Sequence, residues 1–430
     1  MKTHCMMLIV LSSLIGSFSS FGQNLALSDT VAGIWVNYDE SLVGDYTLPD
    51  PLKMADGEKV TTPEMWFEKR RPEIIGLYEK HQFGRLPGRP KDLWFDVFDK
   101  GTETFGGKAL RKQVTIHYSK NDSAPTTDVL IYLPADAKKP VPVFLYISFR
   151  PYCMLVDDPG VKKGFLWNRE GERVPAGEST MHLFDVVPFL EDGFGVATLY
   201  YGDVDPDFSS GLPHGVRSLY LQPGQTEPAQ DEWGTISAWS WGLSRVMDYF
   251  ETDAAIDAEQ VALMGISRLG KTVTWTGARD PRFAMIIASC GGEGGAALSR
   301  RNYGETIAHL AAPSRYFYQF CTNYGYWGTR VDEFPVDAHM LLACIAPRPV
   351  LLQTGTTDRW SDPKGEFLAA VAAGPVFELL GKKGVGIKEM PLAGEPHMNT
   401  LGYYMHDGGH GTIDSDWDIF RQFMKKHFKR

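Results

Sequence analysis

The sequence is short of cysteine and of positive charge, and it has no apolar run long enough to span a bilayer. Five cysteines occur in 430 residues without a Cys-x-x-Cys pair, so nothing indicates a zinc site or a redox dithiol. The chain has 43 Lys and Arg against 53 Asp and Glu, which gives a net charge of −10. This balance argues against nucleic acid or an anionic membrane surface as a partner.

The first apolar segment has the flanks of an export signal. Lys2 precedes an apolar run from Cys5 to Ile15, which is shorter than the roughly 20 residues of a transmembrane helix. Ser20 and Gly22 then place small residues at the two positions that a signal peptidase reads. We predict that residues 1–22 are a cleaved signal peptide and that the protein is secreted or periplasmic. A buried N-terminal helix is the alternative.

The rest of the chain has the composition of an ordinary globular protein. Hydrophobic residues make up 43% of the sequence and charged residues 22%, which predicts a sizeable buried core. Apolar segments rich in Val, Ile and Phe predict strands that are buried on both faces of a sheet. These segments are 140–149, 194–201, 259–266, 283–290, 348–356 and 386–393.

Helix-length segments lie between several of these strands, at 235–252, 271–279 and 366–381. Such alternation predicts a mostly parallel sheet with helices on both faces. A helical pattern at 64–83, interrupted at Pro72, comes earlier, followed by strands within 93–118 and at 126–134. Because antiparallel first strands are typical of an α/β-hydrolase sheet, we predict an α/β-hydrolase fold.

Three long segments do not fit the alternation. They are rich in Pro, Gly, Asp and aromatic residues or are mixed in composition, and they span 150–190, 202–234 and 291–345. Ligands bind at the carboxyl ends of strands in open α/β folds, so we expect these insertions to shape a substrate cleft there. The predicted organisation is an N-terminal extension with the first strands at 23–125 and an α/β-hydrolase core at 126–430. Together they form one catalytic domain at 23–430.

The segment 261–273 has the pattern of a nucleophile elbow, in which a buried strand turns sharply into a helix. Ser267 lies at the turn, and Gly265 and Gly270 leave room for the helix to pass close to the strand. The second glycine stands one place later than in the usual Gly-x-Ser-x-Gly. We predict that Ser267 is a nucleophile and that the backbone N–H of Arg268 faces the developing oxyanion. A serine that only caps the helix is the alternative.

The base is expected near the end of the chain, because triads of this fold follow the order Ser, acid, His. His410 lies in a glycine-rich loop before the C-terminal helical segment, and we predict that it is the base. His406 and His410 have the spacing of a helical zinc pair, but Gly408 and Gly409 argue against a helix there. His397 is interpreted as a turn residue.

Two carboxylates are candidates for the acid. Asp358 follows the strand at 348–356, on a turn from which it can hold the imidazole in the productive tautomer. Glu293 lies in the glycine-rich segment after the preceding strand and is the second candidate. Asp362 precedes a proline and is interpreted as a turn or N-cap residue.

The elbow motif resembles that of the glucuronoyl esterases, carbohydrate esterase family 15. Residues 265–271, Gly-Ile-Ser-Arg-Leu-Gly-Lys, are similar to the family's Gly-Cys-Ser-Arg-x-Gly-Lys. The resemblance continues through the glycine-rich turn at 291–295, the segment 299–301, the turn at 358–360 and the Gly409-His410 loop. It covers most of the chain from about residue 125 to the end.

These esterases hydrolyse esters between the glucuronic acid of xylan and alcohols attributed to lignin. The resemblance implies the same nucleophile and base, and an oxyanion role for the guanidinium of Arg268. It also implies that Lys271 and Glu305 hydrogen-bond the sugar hydroxyls while Trp360 stacks nearby. Without the resemblance, Arg268 and Lys271 could be solvated helix residues, Trp360 a core residue and Glu305 a surface carboxylate.

One position departs from the family pattern. Many members carry a glutamate at the end of the strand before the glycine-rich turn, where this chain has Cys290. A thiol cannot orient and charge-balance an imidazolium as a carboxylate does. We therefore predict that Asp358 is the working acid.

The functional prediction is a serine esterase that hydrolyses the ester between (4-O-methyl-)glucuronic acid of glucuronoxylan and an alcohol. Neither a cofactor nor a metal is expected, and the protein is predicted to be a monomer. An acetyl-xylan or other neutral carbohydrate esterase would share the triad but leave Lys271 and Trp360 without a special task. The remaining alternative is an inactive glycan-binding protein with a hydrolase-like fold, which the intact Ser–Asp–His order argues against.

Overall fold

One sheet of nine strands organises the protein, as seen in a computed structural model that describes residues 30–177 and 184–429. The predicted signal peptide lies outside the described residues. Within them, no helix combines the length and the apolar character that crossing a membrane requires. The four cysteines of the described ranges are free thiols, namely Cys153, Cys290, Cys321 and Cys344.

The strands form the main sheet and two short hairpins. In chain order they are β1 (Thr30–Val31), β2 (Ile34–Trp35), β3 (Trp94–Thr104), β4 (Ala109–His117), β5 (Thr126–Pro134), β6 (Val141–Ser148), β7 (Phe165–Trp167), β8 (Arg173–Pro175), β9 (Gly195–Tyr200), β10 (Ile256–Ile266), β11 (Met285–Ser289), β12 (Val350–Gly355) and β13 (Leu401–His406). The hairpins pair β1 with β2 and β7 with β8.

The helices of the described residues lie mostly between the strands of the main sheet. They are α1 (Pro63–Met65), α2 (Arg71–Tyr78), α3 (Val187–Glu191), α4 (Tyr201–Val204), α5 (Thr235–Phe250), α6 (Arg268–Arg279), α7 (Ile307–Ala311), α8 (Ala338–Ala343), α9 (Pro363–Leu379) and α10 (Asp414–His427). The predicted helices at 235–252, 271–279 and 366–381 correspond to α5, α6 and α9, and these predictions are confirmed.

The main sheet has the strand order β13-β12-β11-β10-β6-β9-β5-β4-β3. From β13 to β9 every neighbouring pair is parallel. At the other end, β5, β4 and β3 pair in antiparallel fashion. A mostly parallel sheet with antiparallel first strands and flanking helices is the predicted α/β-hydrolase fold, which is confirmed.

Neighbouring residues of the central strands enter two different cores, one on each face of the sheet. In β6, Val143 and Leu145 belong to the core that contains α5, α6 and α9, whereas Phe144 packs with Phe189 of α3 and Phe420 of α10. Alternate side chains of a strand point to opposite faces, so a strand covered on both faces needs a continuous apolar run. Burying each such side chain contributes about 1.5–3 kcal/mol. The strand ends are therefore a rigid base for a site.

The prediction of a strand at 386–393 is wrong. This segment lies within an irregular loop between α9 and β13, in which Gly386 has a φ of +82° and Pro391 follows five residues later. A proline cannot donate to a strand ladder, and a positive φ interrupts an extended backbone. The last strand is β13, so the loop that carries His410 still follows the last strand, as predicted.

The helical segment at 64–83 is not interrupted at Pro72. α1, α2 and two π-helical stretches form one run from Pro63 to Phe83. Pro72 lies in the first turn of α2, directly after the π-helical stretch Trp66–Arg70. In the π-helical stretch the hydrogen bonds reach back five residues, as from Arg71 N–H to Trp66 O, so the run changes its hydrogen-bond pattern next to the proline, which has no N–H to donate. The predicted break is therefore wrong.

Candidate active site

The turn between β10 and α6 holds Ser267 in a backbone conformation that is rare for serine. Its φ is +60°, and its N–H donates to Ser289 O at 2.8 Å. A Cβ at Gly265 would lie 2.3 Å from Leu269 O, and one at Gly270 would lie 2.7 Å from Ser289 O, so both positions require glycine. The Ser267 side chain makes no capping hydrogen bond, which makes the helix-cap alternative wrong.

Asp358 and His410 form the pair that the sequence predicted. Asp358 lies on the turn after β12 and His410 on the loop after β13, and these two strands are neighbours in the sheet. His410 Nδ1 lies 2.7 Å from Asp358 Oδ2, so an Nδ1–H donates to the carboxylate and leaves Nε2 as a proton acceptor. The side chain of His410 is 27% exposed and that of Asp358 is 4% exposed. The imidazole therefore reaches the cleft while the carboxylate stays behind it.

The neighbours of Asp358 keep its carboxyl ionised. Burial raises the pKa of Asp358, but the hydrogen bond and charge of His410 and the hydrogen bonds of Ser361 and Cys290 outweigh burial and hold it below its usual value. Ser361 Oγ also lies 3.2 Å from His410 Nδ1. An ionised carboxylate at this place can hold one imidazole tautomer and stabilise an imidazolium.

Cys290 directly follows β11 and lies beside this pair. Gly411 N–H donates to its sulfur at 3.3 Å, and burial raises the pKa of the thiol well above its usual value. Donor atoms of Cys290, Asp358 and His410 lie within 4.8 Å of one another, so these described residues could hold a metal ion together. The hydrogen bond between Asp358 and His410 already engages two of the three donors, and a protonated thiol is a poor ligand. The chemistry of this group fits proton transfer.

Glu293, the second candidate for the acid, contacts Ser299 and Tyr324 rather than His410. Its Oε1 accepts hydrogen bonds from Ser299 Oγ at 2.7 Å and from Tyr324 OH at 2.8 Å in a buried environment. Burial raises the pKa of Glu293 to about 8. The structure therefore brings Asp358, and not Glu293, to the imidazole of His410.

Three further predicted residues form a charged and aromatic part of the site. Lys271 Nζ donates to Gly291 O at 2.9 Å and to Glu305 Oε2 at 3.3 Å. Arg315 donates to Glu305 Oε1 at 3.2 Å, and its guanidinium lies 5.1 Å from the centroid of the Trp360 ring. Lys271 and Glu305 are only 5% and 8% exposed. The alternatives of a solvated lysine and a surface carboxylate are therefore wrong.

The guanidinium of Arg268 is held by an ion pair and an aromatic ring. Its Nη1 pairs with Asp207, and its Nη2 donates to Tyr316 OH at 3.3 Å. The guanidinium carbon lies 4.5 Å from the centroid of the Tyr316 ring, within range of a cation–π interaction. Burial lowers the pKa of Arg268, but the charge of Asp207 outweighs it and keeps the pKa above its usual value. Arg268 is therefore a permanent and fixed positive charge.

One cleft of about 1240 Å³ collects the predicted site residues apart from Glu293. Those that line it are Ser267, Arg268, Lys271, Glu305, Asp358, Trp360 and His410. Among the described contacts, no hydrogen bond joins the Ser267 hydroxyl to His410. Such bonds often form only when substrate is bound. The structure thus brings the predicted nucleophile and base to one cavity without joining them.

Several residues of the cleft were not found from the sequence. They include Tyr38, Phe184, Arg315, Tyr316 and Trp417. Four of them come from loops or short turns, where no hydrophobic period marks which side chains face a ligand. The available signal was the aromatic and arginine content of the insertions, which indicated the region but not the residues.

The other polar residues considered from the sequence have local structural contacts. His406 ends β13, with Nδ1 2.8 Å from Asp416 Oδ2 and Nε2 3.0 Å from Gly409 O. Both ring nitrogens of His406 are engaged in this way. The alternative that His406 and His410 bind a metal ion as a pair is therefore wrong. Asp362 caps the N-terminus of α9, as predicted. His397 lies in the loop before β13.

The fold and the position of the cleft place the protein among the α/β-hydrolases. A family model described as "Glucuronyl esterase, fungi" matches residues 228–381. Carbohydrate esterase MZ0003, from an unknown prokaryotic organism, is 43% identical over 401 residues, which are 91% of this chain and 92% of that protein. The 4-O-methyl-glucuronoyl methylesterase 1 of Wolfiporia cocos is 27% identical over 344 residues, which are 78% of this chain and 72% of that protein.

The structural comparison agrees with the sequence comparison. The glucuronoyl esterase from Solibacter usitatus superimposes with a TM-score of 0.87 at 43% identity, over 91% of this chain and 100% of that chain. The chain therefore belongs to the glucuronoyl esterase family, carbohydrate esterase family 15. It is a carboxylic ester hydrolase, and the resemblance drawn from residues 265–271 is confirmed.

Proposed function

We propose that the protein hydrolyses the ester between (4-O-methyl-)glucuronic acid of glucuronoxylan and an alcohol, through Ser267, His410 and Asp358. The observation that carries this proposal is the shared cleft, in which these residues and a group of sugar-binding type line one cavity. Relatives named as glucuronoyl esterase and as 4-O-methyl-glucuronoyl methylesterase support the substrate class.

In the first half of the reaction, Ser267 Oγ attacks the ester carbonyl carbon while His410 Nε2 takes the hydroxyl proton. Asp358 holds Nδ1–H and stabilises the imidazolium that forms. The carbon–oxygen bond to the alcohol then breaks, and the imidazolium gives its proton to the leaving oxygen. The product of this half is an acyl-enzyme with the uronic acid bound to Ser267.

In the second half, water attacks the acyl carbon and His410 again accepts the proton. Collapse of the tetrahedral intermediate restores the Ser267 hydroxyl and releases the uronic acid. In both halves a negative charge develops on the former carbonyl oxygen, and the guanidinium of Arg268 stabilises it. Because this charge is absent from the ground state, the interaction lowers the barrier rather than tightening substrate binding.

The uronosyl group is bound by the charged and aromatic part of the cleft. Trp360 offers a ring face to the sugar, and Lys271 and Glu305 offer a charged donor and a charged acceptor for its hydroxyls. The mutual contact of Lys271 and Glu305, with Arg315, keeps these buried charges balanced when the cleft is empty. A neutral acetyl ester makes no use of this group.

The first experiment is to incubate the protein with benzyl glucuronate and to measure the release of free glucuronic acid. We expect steady release by the wild type and at least a 10³-fold slower rate for Ser267→Ala. If the wild type released no glucuronic acid, the protein would instead be a catalytically inactive, glycan-binding member of the family.

The second experiment tests the substrate class. Lys271→Ala is expected to lower kcat/KM for a glucuronate ester by about 10- to 100-fold, the loss of one charged hydrogen bond, and to leave an acetyl ester nearly unaffected. The ratio of the two kcat/KM values is the readout, because a loss of folded enzyme lowers both equally. Equal losses on both esters would favour a neutral carbohydrate esterase.

A further inference from the structure

Arg268 is surrounded by residues from two insertions, although it lies on the helix that follows the nucleophile. Asp207 comes from the insertion at 202–234, and Tyr316 comes from the insertion at 291–345. Both contact the guanidinium, through an ion pair and through a hydrogen bond with ring stacking. The side chain of Arg268 is 26% exposed, so the group is fixed but still open to the cleft.

The carboxylate of Asp207 is itself fixed by neutral donors. Gln319 Nε2 donates to Asp207 Oδ1 at 2.7 Å, and Tyr318 OH donates to the same oxygen at 3.1 Å. Tyr201 OH donates to Oδ2 at 3.2 Å. The side chain of Asp207 is 6% exposed. Its position is therefore set by the fold, independently of whether Arg268 is present.

An arginine side chain has several rotatable bonds, and ordering it costs up to about 2 kcal/mol of conformational entropy. A fixed carboxylate supplies that order before substrate binds. A guanidinium has five N–H donors, and Asp207 and Tyr316 engage its two terminal nitrogens among the described residues. The donors that remain can meet an anion at the cleft.

We propose that Asp207 is a positioning residue for Arg268, which holds the guanidinium in the orientation that meets the oxyanion. The two insertions then do more than line the cleft. Gln319 of one insertion fixes Asp207 of the other, and Asp207 in turn fixes the guanidinium of Arg268, which lowers the activation barrier of ester hydrolysis. This inference rests on the proposed function, in which Arg268 stabilises the oxyanion.

The test is Asp207→Asn, which keeps the shape and an oxygen acceptor for Gln319 but removes the charge that pairs with Arg268. We expect kcat to fall about 10- to 100-fold with KM changed less than about 3-fold, because the affected interaction exists only in the transition state. Asp203→Asn is the matched control, since Asp203 lies on the same segment and pairs with Arg173 instead. It should leave kcat unchanged.

A double-mutant cycle with Arg268→Gln separates positioning from a general effect on the fold. In the Arg268→Gln background, Asp207→Asn should lower kcat by less than about 2-fold, because the group it positions is gone. Two results would overturn only the positioning role of Asp207. One is an equal loss of kcat from Asp207→Asn in the wild-type and Arg268→Gln backgrounds, and the other is a wild-type kcat for Asp207→Asn when Arg268→Gln is slow. Wild-type kcat for Arg268→Gln would overturn the oxyanion role and this inference with it.

Discussion

Two His–Asp pairs lie close together in this protein, and they differ in exposure rather than in geometry. His410 lies 2.7 Å from Asp358, and His406 lies 2.8 Å from Asp416. The side chain of His410 is 27% exposed, whereas that of His406 is 2% exposed. The outer pair, His410 and Asp358, is therefore open to the cleft, whereas the inner pair, His406 and Asp416, is buried in the fold.

The second ring nitrogen decides what each pair can do. Nε2 of His410 has no hydrogen-bond partner among the residues that the structure describes and can take a proton from a nucleophile, while Nε2 of His406 lies 3.0 Å from Gly409 O. Asp416 also accepts the N–H of Ile413 at 2.9 Å. The inner pair thus connects both ends of the loop that carries His410. A His–Asp pair can act as a general base only where its second imidazole nitrogen faces a group that has a proton to give, and a backbone carbonyl such as Gly409 O has none.

The largest expected effect is the loss of kcat when the histidine of the outer pair, His410, is replaced. His410→Ala should lower kcat on a glucuronate ester by about 10⁴-fold or more without lowering the melting temperature, because the proposed base is lost and the core is untouched. Steady-state kinetics and thermal unfolding measure the two effects. His397→Ala, a histidine in the loop before β13, is the control and should leave kcat unchanged.

The next effect concerns the outer carboxylate. Asp358→Asn should lower kcat by about 10³-fold, because an asparagine cannot hold the productive tautomer or balance the imidazolium. Asp407→Asn removes a carboxylate on the same loop as His410 and should retain wild-type kcat. Retention of wild-type turnover by Asp358→Asn would show that the acid has been wrongly assigned.

The inner carboxylate is expected to act on stability. Asp416→Asn removes one partner of a buried pair and should lower the free energy of unfolding by about 3 kcal/mol, measured by denaturant titration. Among folded molecules, kcat should fall less than about 10-fold. If Asp416→Asn instead lost as much kcat as Asp358→Asn, the two pairs would act as one catalytic unit.

The smallest effect is a pH dependence of stability. Burial lowers the pKa of His406, but the hydrogen bond and charge of Asp416 outweigh it and hold the pKa above its usual value. A raised pKa stabilises the fold fully below the pKa of the unfolded chain, near 6.5, and this contribution is lost as pH rises through the folded pKa. The stability advantage of wild type over His406→Gln should therefore shrink from acidic to alkaline pH. An advantage that is constant or grows with pH would contradict the charge assignment.

The sequence predicted the parts of the site that stand at the ends of regular elements. Ser267 follows a strand that is apolar on both faces, and its flanking glycines are required by contacts of 2.3 and 2.7 Å. Asp358 and His410 follow neighbouring strands, so the topology brings them together. The choice between Asp358 and Glu293 could not be made from local pattern alone, since both follow strands and only the direction of the side chain separates them.

What the sequence could not predict depends on contacts between distant segments. Asp207 lies 61 positions from Arg268 in an insertion whose helices are single short turns, and no spacing connects the two. The pairing of His406 with Asp416 could not be predicted, because the two residues are ten positions apart on either side of an irregular loop. The strand expected at 386–393 followed from hydrophobicity alone, which the local backbone at Gly386 and Pro391 overrides.

The positive φ of Ser267 has a consequence for engineering. Glycine would relieve that backbone conformation, a gain of about 1 kcal/mol or more, but it would remove the hydroxyl that we propose as the nucleophile. A screen for heat tolerance alone would therefore select against the hydroxyl. Stabilised variants should be sought in helix caps and surface charges, far from this bend, where tolerance to heat and turnover do not compete.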